Sequence, residues 1–372
     1  MIYLDHAAST PPYDSVYPYM TQVAAEVFGN PSSRHGAGSA ALRLLRQSRR
    51  TVAALLGVEA QSVIFTAGGT ESNNATILSV RNSPKKHIVI AATEHPSVLR
   101  AAERLEKQDF SVSRVLPDGQ GRILPQTVAQ ALRRDTALVS VHAVNNETGV
   151  IQDIAAIAKL AHEAGAVYHC DAVQSFGHVE LPLSCADMVS LSGHKFGGPR
   201  GVGVLAAKDS VPFSPLLVGG HQELTRRAGT ENLPGIAGFA LAAEQVCREL
   251  PAETTRQEKL ADALLARLRR AVPDLVLHSG DAPRSPGLLS LRFPDASAEE
   301  MQVRLNEAGI CVGVGAACSA ADPSPSHVLT AMGLTATEAG QTLRVSLGRT
   351  NTEEEIEEAA EAMGRVYELC RK

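Results

Sequence analysis

Short apolar runs rich in β-branched residues alternate with segments of helical periodicity through the first half of the chain. In residues 153–164, for example, Ile154, Ile157 and Ala161 recur on one helical face. Such alternation is typical of a mostly parallel sheet that helices cover on both sides. Its ligand site is expected beyond the carboxyl ends of the strands. The apolar runs predict strands at residues 62–66, 87–92, 111–115, 137–142, 166–170, 187–191 and 202–206.

Beyond residue 229 the pattern changes to longer helical segments. Two Ala-rich helices are predicted at residues 234–250 and 257–271, leading away from the sheet. Thr352 and Glu355 have the spacing of a capping box and predict the start of the last helix. The remaining pattern predicts strand, helix, strand and helix, at residues 287–293, 298–308, 342–348 and 353–369.

The length of 372 residues exceeds what one typical core needs. We therefore expect an α/β protein with two domains, and we place the boundary near Pro251, where the first long helical segment ends. Residues 14–250 are predicted to form the large domain, with a mostly parallel seven-stranded sheet. Residues 1–13 and 251–372 are predicted to form the smaller α/β domain.

Composition excludes several classes of protein. The net charge is −5 with both signs interspersed, so no basic surface for nucleic acid is indicated. No stretch reaches the roughly 20 apolar residues of a membrane span. The first residues lack a signal-peptide pattern, and the six cysteines show no C-x-x-C spacing, which fits a reducing compartment. We expect a cytoplasmic protein without a bound metal.

Lys195 and Asp171 carry the first chemical signal. Lys195 stands among glycines just after one apolar run, and Asp171 ends another. A lysine amine at the mouth of a parallel sheet suits the Schiff base of pyridoxal phosphate, and a strand-end carboxylate suits its ring nitrogen. Gly68, Gly69 and Thr70 lie between a strand and a helix start, where free amides hold phosphate. Alone, this glycine turn is a weak signal, because it also serves as an ordinary connection.

Eight sequence blocks extend these signals along nearly the whole chain. Their residues and their order along the chain resemble those of the cysteine desulfurases. That family belongs to the aspartate-aminotransferase-like (fold type I) superfamily of pyridoxal phosphate enzymes. The blocks are YLDHAASTP at residues 3–11, GNPSS at 29–33, TESN at 70–73, TEH at 93–95, VNNETG at 144–149, DAVQS at 171–175, SGHK at 192–195 and RVSLGR at 344–349.

The resemblance implies roles for the cofactor-binding positions. Lys195 corresponds to the Schiff-base lysine, Asp171 to the partner of the ring nitrogen, and Gln174 to the donor near the phenolate oxygen. His95 corresponds to the histidine that stacks on the ring and moves protons, a task that suits an imidazole near neutral pH. The phosphate ligands implied are Gly69, Thr70, Ser192 and His194, together with Thr230, which reaches the partner subunit of a homodimer.

The resemblance also implies the substrate site. Arg344 corresponds to the clamp on the carboxylate of L-cysteine, for which a bidentate guanidinium is well suited. Asn30 and Asn146 correspond to its helpers, and Asn146 also to a cofactor contact. Without the resemblance, a structural salt bridge for Arg344 and an asparagine turn for Asn30 are the simpler interpretations.

Cys318 lies in a stretch of small residues, a setting that suits a thiol with room to move. The segment resembles the loop of the longer-loop desulfurases, whose cysteine takes sulfur from L-cysteine as a persulfide and leaves L-alanine. Cys311 is the second candidate nucleophile, although it lies close to a strand pattern. An acceptor protein is implied, and an iron–sulfur scaffold, a tRNA thiolation enzyme and a sulfur carrier all stay open.

Two departures from the family pattern and three alternatives stay open. The family loop Gly-Ser-Ala-Cys-Thr-Ser reads Gly-Ala-Ala-Cys-Ser-Ala at residues 315–320, and the chain ends directly after its last helix pattern, so scaffold docking is not implied. A selenocysteine lyase would share every cofactor residue. Another pyridoxal phosphate transferase, such as an aminotransferase, would not need Cys318. A non-catalytic protein on the same fold would be expected to have lost Lys195, Asp171 or His95.

Overall fold

The computed structural model describes residues 1–315 and 324–371. Within these ranges the strands are β1 (Ile2–Tyr3), β2 (Val63–Thr66), β3 (His87–Ala91), β4 (Ser111–Val115), β5 (Thr136–Ser140), β6 (Val167–Asp171), β7 (Met188–Ser192), β8 (Gly203–Ala207), β9 (Val276–Leu277), β10 (Leu288–Arg292), β11 (Ile310–Cys311), β12 (Gly313–Val314) and β13 (Thr342–Ser346). The α-helices are α1 (Val16–Glu26), α2 (Gly36–Leu56), α3 (Gly69–Ser79), α4 (Pro96–Glu106), α5 (Pro125–Ala131), α6 (Ile154–Glu163), α7 (Leu233–Ala271), α8 (Ala298–Glu307), α9 (His327–Ala331), α10 (Ala336–Ala339) and α11 (Glu353–Cys370).

The main sheet has the strand order β2-β8-β7-β6-β5-β3-β4. Its pairs are parallel except those of β8, which runs antiparallel to β2 and to β7. Every predicted strand of this sheet is present with its ends shifted by no more than two residues. The predicted α/β fold with a mostly parallel seven-stranded sheet is therefore confirmed.

Burial on both faces explains why these strands read as continuous apolar runs. All five residues of β3, β5, β7 and β8 are buried. Helix α6 packs Ile154, Ile157 and Ala161 into the same core, as its periodicity predicts. The carboxyl ends of β5, β6 and β7 lie side by side, which brings the residues that follow them to one edge of the sheet.

A second, smaller core surrounds the antiparallel sheet β12-β13-β10-β9. The chain start joins it, because β1 pairs in parallel with β11. Helix α11 covers this core, and its predicted capping box is present: Thr352 Oγ1 accepts from the Glu355 amide, and the Glu355 carboxylate accepts from the Thr352 amide. None of the helices in the described ranges has the length and apolar character that crossing a membrane requires.

The two Ala-rich helices predicted after residue 233 form one helix, α7, which continues through Pro251. A proline interrupts the hydrogen-bond ladder and clashes with the preceding turn, which is why the sequence suggests a break. The helix continues because each half is held by a different core: Ile236 and Phe239 pack with the main sheet, whereas Leu264 and Leu268 pack with the smaller one. The exact domain boundary stays a prediction.

Candidate active site

A cavity of about 200 Å³ opens at the carboxyl edge of the main sheet. Most of the residues singled out in the sequence line it: Gly69, Thr70, His95, Asn146, Asp171, Gln174, Ser192, His194, Lys195 and Arg344. Strand ends and helix starts that are far apart in the chain therefore meet at one place, as expected for a sheet of this topology.

Lys195 follows β7 by three residues and points into the cavity. Its Nζ donates hydrogen bonds to the carbonyl oxygens of Ala7 (2.6 Å) and Ala8 (3.0 Å). These two carbonyls belong to the segment after β1, so the chain start positions the amine. This segment belongs to the family motif at residues 3–11, but the sequence did not indicate that it contacts the lysine.

Asp171 ends β6 with a carboxylate that is almost fully buried. Its Oδ1 accepts from the Val173 amide at 2.9 Å, and its Oδ2 accepts from Asn73 Nδ2 at 2.7 Å. The same Asn73 amide nitrogen donates to Ser97 Oγ at 2.9 Å. Sequence reasoning missed the role of Asn73, although it lies one helical turn after Thr70 and on the same face of α3.

His95 caps α4 through its Nδ1, which accepts from the Ser97 amide at 3.1 Å. This contact places the proton of the neutral ring on Nε2. Burial lowers the pKa of His95, Asp171 opposes the change, and Lys195 adds to it. The ring is therefore held neutral near pH 7, with Nε2–H as a donor.

The other end of the cavity is built for a phosphate. Gly68 adopts φ +154°, a conformation that glycine tolerates, and α3 begins at the next residue. A methyl group on Gly69 would lie 2.7 Å from Val173, so only glycine permits this approach. Burial, with Lys195 and Arg200, lowers the pKa of His194 to about 4. A helix N-terminus and a neutral imidazole therefore face the phosphate position together.

Arg344 lies in β13 and is 3% exposed. Its Nη2 donates to Asp5 Oδ1 at 2.8 Å, and its Nη1 donates to the Asn146 carbonyl at 3.0 Å. The structural salt bridge considered from the sequence is thus present, and the same guanidinium also lines the cavity. Its Nε has no hydrogen-bond partner within the described ranges.

Two predicted positions within the described ranges, Asn30 and Thr230, are not brought to the cavity. Asn30 is exposed, and its Oδ1 accepts from the Ser32 amide in a turn. Thr230 is exposed in the loop before α7. Cys318 lies outside the described residues. The alternative nucleophile Cys311 lies in β11 and lines a separate surface pocket with Gln302 and Asn306.

Both described flanks of residues 316–323 lie beside the cavity. On one side, Gly313 pairs with Arg344 across β12 and β13. On the other side, the Ser326 hydroxyl donates to the buried Glu147 carboxylate, next to Asn146. His327 Nε2 also lies 2.9 Å from the Glu94 carbonyl oxygen, next to His95.

Comparison with known proteins agrees with this architecture. The family model described as aminotransferase class-V matches residues 2–358. The cysteine desulfurase of Trichormus azollae is 38% identical over 379 aligned residues, which cover 100% of this chain and 94% of that protein. A solved structure of a NifS-like protein has a TM-score of 0.92 at 33% identity and covers 99% of both chains. The structure of SspA in complex with cysteine has a TM-score of 0.83 at 34% identity, covering 93% of this chain and 99% of that one.

The chain therefore belongs to the class-V aminotransferase family, a class of pyridoxal phosphate-dependent enzymes. Its place within that family is among the cysteine desulfurases, as the sequence blocks indicate. Pyridoxal 5'-phosphate is the cofactor of this family.

Proposed function

We propose that this enzyme converts L-cysteine to L-alanine and transfers the sulfur to Cys318 as a persulfide, for delivery to an acceptor protein. The observation that carries the proposal is the convergence of Lys195, Asp171, His95 and Arg344 on one cavity. A primary amine, a ring-nitrogen partner, a stacking imidazole and a carboxylate clamp are the groups that this reaction requires.

The residues present fit the cofactor. Gln174 Oε1 is buried without a partner among residues 1–315 and 324–371, and it faces the same cavity as the Asp171 carboxylate. Asp171 would hold the ring nitrogen, Gln174 and Asn146 the ring edge, and His95 the ring face. Gly69, Thr70, Ser192 and His194 would hold the phosphate. When bound, the cofactor supplies an aldehyde for the substrate amine and a ring that accepts electrons from the substrate carbon.

Lys195 is proposed to take the proton from the substrate α-carbon and to return a proton later. The Ala7 and Ala8 carbonyls hold its Nζ in the cavity. The amine therefore needs to move little between taking the proton and returning it. His95 is proposed to donate from Nε2, because its Nδ1 is occupied by the Ser97 amide. The two groups thus hold protons at separate points of the cavity.

Arg344 is proposed to bind the substrate carboxylate. The Asp5 carboxylate and the Asn146 carbonyl fix its guanidinium plane, so the substrate meets a positioned cation and not a mobile one. Asn30 is proposed as a helper at the same carboxylate.

Cys318 is proposed to attack the sulfur of the substrate. The C–S bond breaks, an S–S bond forms on Cys318, and the carbon skeleton takes up protons and leaves as alanine. The flanking contacts at Arg344, Glu147 and Glu94 support this role, because they place both ends of the segment beside the cavity. A redox partner is not required, since the substrate sulfur becomes the outer sulfur of the persulfide.

Thr230 is proposed to reach the phosphate site of a partner subunit in a homodimer. Its loop carries the exposed apolar side chains Val218 and Leu224, which a partner would cover. Arg227 pairs with Glu71 and ties the loop to the start of α3 beside Thr70. The acceptor protein stays a prediction from family resemblance, and a cytoplasmic location stays a prediction from the sequence.

The test uses the purified enzyme with L-cysteine and a thiol reductant, and measures alanine and sulfide. Wild type is expected to be yellow and active, Lys195→Ala to be colourless and inactive, and Cys318→Ala to be coloured but unable to release sulfide. Lys159→Ala, an exposed lysine paired with Glu163, is the control for charge removal. Alanine and sulfide from Cys318→Ala at the wild-type rate would refute the role of Cys318. If Cys318→Ala releases selenium from selenocysteine but is inactive on L-cysteine, the selenocysteine lyase is favoured.

A further inference from the structure

His142 lines the cavity, although no role was predicted for it from the sequence. It follows β5 by two residues, where strand-like pairing continues: the Val141 amide donates to the His169 carbonyl, and the Ala143 amide donates to the Asp171 carbonyl. His142 therefore stands beside Asp171 at the sheet edge. It is 4% exposed, and it lines the cavity that holds Lys195.

The ring of His142 lacks the hydrogen bonds that a buried imidazole needs. Neither Nδ1 nor Nε2 has a hydrogen-bond partner among the described residues. Oε2 of Glu94 lies 3.5 Å from Nδ1, and this oxygen lacks a hydrogen-bond partner in the same ranges. Buried polar atoms without partners are rare and costly. Nδ1 and Glu94 Oε2 thus face each other at ion-pair distance, and Nε2 is left for a group bound in the cavity.

A chain of hydrogen bonds through Ser140 and His169 determines which atoms donate to Glu94. Ser140 Oγ donates to Glu94 Oε1 at 3.2 Å, so its oxygen accepts from His169 Nδ1 at 2.9 Å. His169 Nε2 then accepts from Ser190 Oγ at 3.0 Å. This arrangement requires a neutral His169, and burial does lower the pKa of His169 to about 4. Glu94 Oε2 is left for the Nδ1 proton of His142.

We propose that Glu94 and His142 form a second carboxylate–imidazole pair of the active site, in which His142 Nε2 hydrogen-bonds a polar atom on the ring of the bound cofactor. The inference rests on the proposed function and adds a positioning residue, Glu94, and a contact residue, His142. The cofactor ring is favoured over the substrate because His142 stands next to Asp171, whereas Arg344 marks the substrate carboxylate. The titratable or charged groups that line the cavity with His142 are His95, Asp171, His194, Lys195 and Arg344. Those that interact with Glu94 from neighbouring elements are Tyr168, Cys170 and His327, and His169 contacts it through Ser140.

The test is a pH titration of the visible absorbance of the holoenzyme without substrate. His142→Met keeps a similar volume and removes both nitrogens, and Glu94→Gln keeps the shape and removes the charge. Each variant is expected to shift the titration midpoint by at least about half a pH unit, a factor of about three in the proton equilibrium. Cofactor release is expected to be about three- to tenfold faster, the loss of one hydrogen bond.

The double variant separates positioning from packing. If Glu94 acts through His142, adding Glu94→Gln to His142→Met should move the midpoint no further. His162→Met is the matched control, because His162 pairs with Asp187 away from the cavity, and it should titrate as wild type. Should His142→Met fail to fold, Glu94→Gln carries the titration alone.

A wild-type midpoint and release rate in both single variants would overturn the inference, as would fully additive shifts. These results are distinct from failure of the proposed function, in which wild type itself would bind no cofactor or form no alanine from L-cysteine.

Discussion

Arg344 Nη2 lies 2.8 Å from Asp5 Oδ1, although the two residues are 339 positions apart in the chain. The contact ties the segment after β1 to β13, and the same segment holds Lys195 through the Ala7 and Ala8 carbonyls. The amine and the guanidinium are thus positioned by one short stretch near the chain start. This explains why that stretch forms one of the eight family blocks, although none of its residues was assigned a chemical role.

Arg344→Lys is expected to raise KM for L-cysteine by about ten- to a hundredfold, with a smaller loss in kcat. The lysine keeps the charge but loses the planar, two-point contact with a carboxylate, a difference of about 1.5–3 kcal/mol. Steady-state alanine formation measures both constants. Arg292→Lys is the control, because Arg292 lies in β10 of the same sheet, pairs with Glu338 of α10 and does not line the cavity. An unchanged KM in Arg344→Lys would contradict the clamp.

Asn73→Ala is expected to lower kcat about tenfold and to weaken cofactor binding. The substitution removes the 2.7 Å donor from Asp171 Oδ2 and the 2.9 Å donor from Ser97 Oγ, and a buried acceptor without its donor costs about 1–3 kcal/mol. Rate measurements and cofactor release detect both effects. Asn74→Ala, one residue along the same helix with a partly exposed side chain, should behave as wild type. Equal effects at both positions would indicate general damage to α3.

Ser326→Ala is expected to lower sulfide formation about tenfold while the visible cofactor band stays. The substitution removes the contact with Glu147 that holds the chain beyond Cys318 next to the cavity. It also removes a helix cap worth about 1 kcal/mol. Ser297→Ala removes a comparable cap from α8 and controls for that loss. If both serine variants lose activity to the same degree, the anchoring role is wrong.

Stability is expected to fall as the pH drops from about 6.5 toward 4. Burial, with Arg292, lowers the pKa of His278 to about 4, so between these values the unfolded chain binds a proton that the folded protein excludes. His278 is buried directly after β9, and its Nε2 lies 2.9 Å from Thr342 Oγ1 in β13. Thermal unfolding of His278→Asn across this pH window should show a shallower decline in Tm than wild type. A parallel decline would show that His278 does not contribute.

The main sheet was predictable because its strands are buried on both faces and read as apolar runs. The same feature made strand ends accurate to within two residues, and with them the edge at which Asp171 and Lys195 meet. The long helix α7 was harder. A local rule places a break at Pro251, whereas packing against two separate cores keeps the helix continuous.

The parts of the site that sequence reasoning missed depend on contacts between distant elements. Asn73 acquires its role only when α3 lies against the end of β6, and His142 only when Glu94 faces it from the β3–α4 connection. No spacing within the chain encodes either contact. Lys195 and Asp171 were accessible because their chemistry follows from residue type and strand position alone.

The proposed mechanism depends above all on the transfer of sulfur from L-cysteine to Cys318 as a persulfide. Its most direct test is mass spectrometry of the peptide that contains Cys318, after one turnover of the holoenzyme with L-cysteine and no reductant. We expect the mass of that peptide to increase by one sulfur atom, with reversal by a thiol reductant and one alanine formed per active site. Alanine formed in that amount with the added sulfur on Cys311, or on no cysteine of the chain, would contradict it.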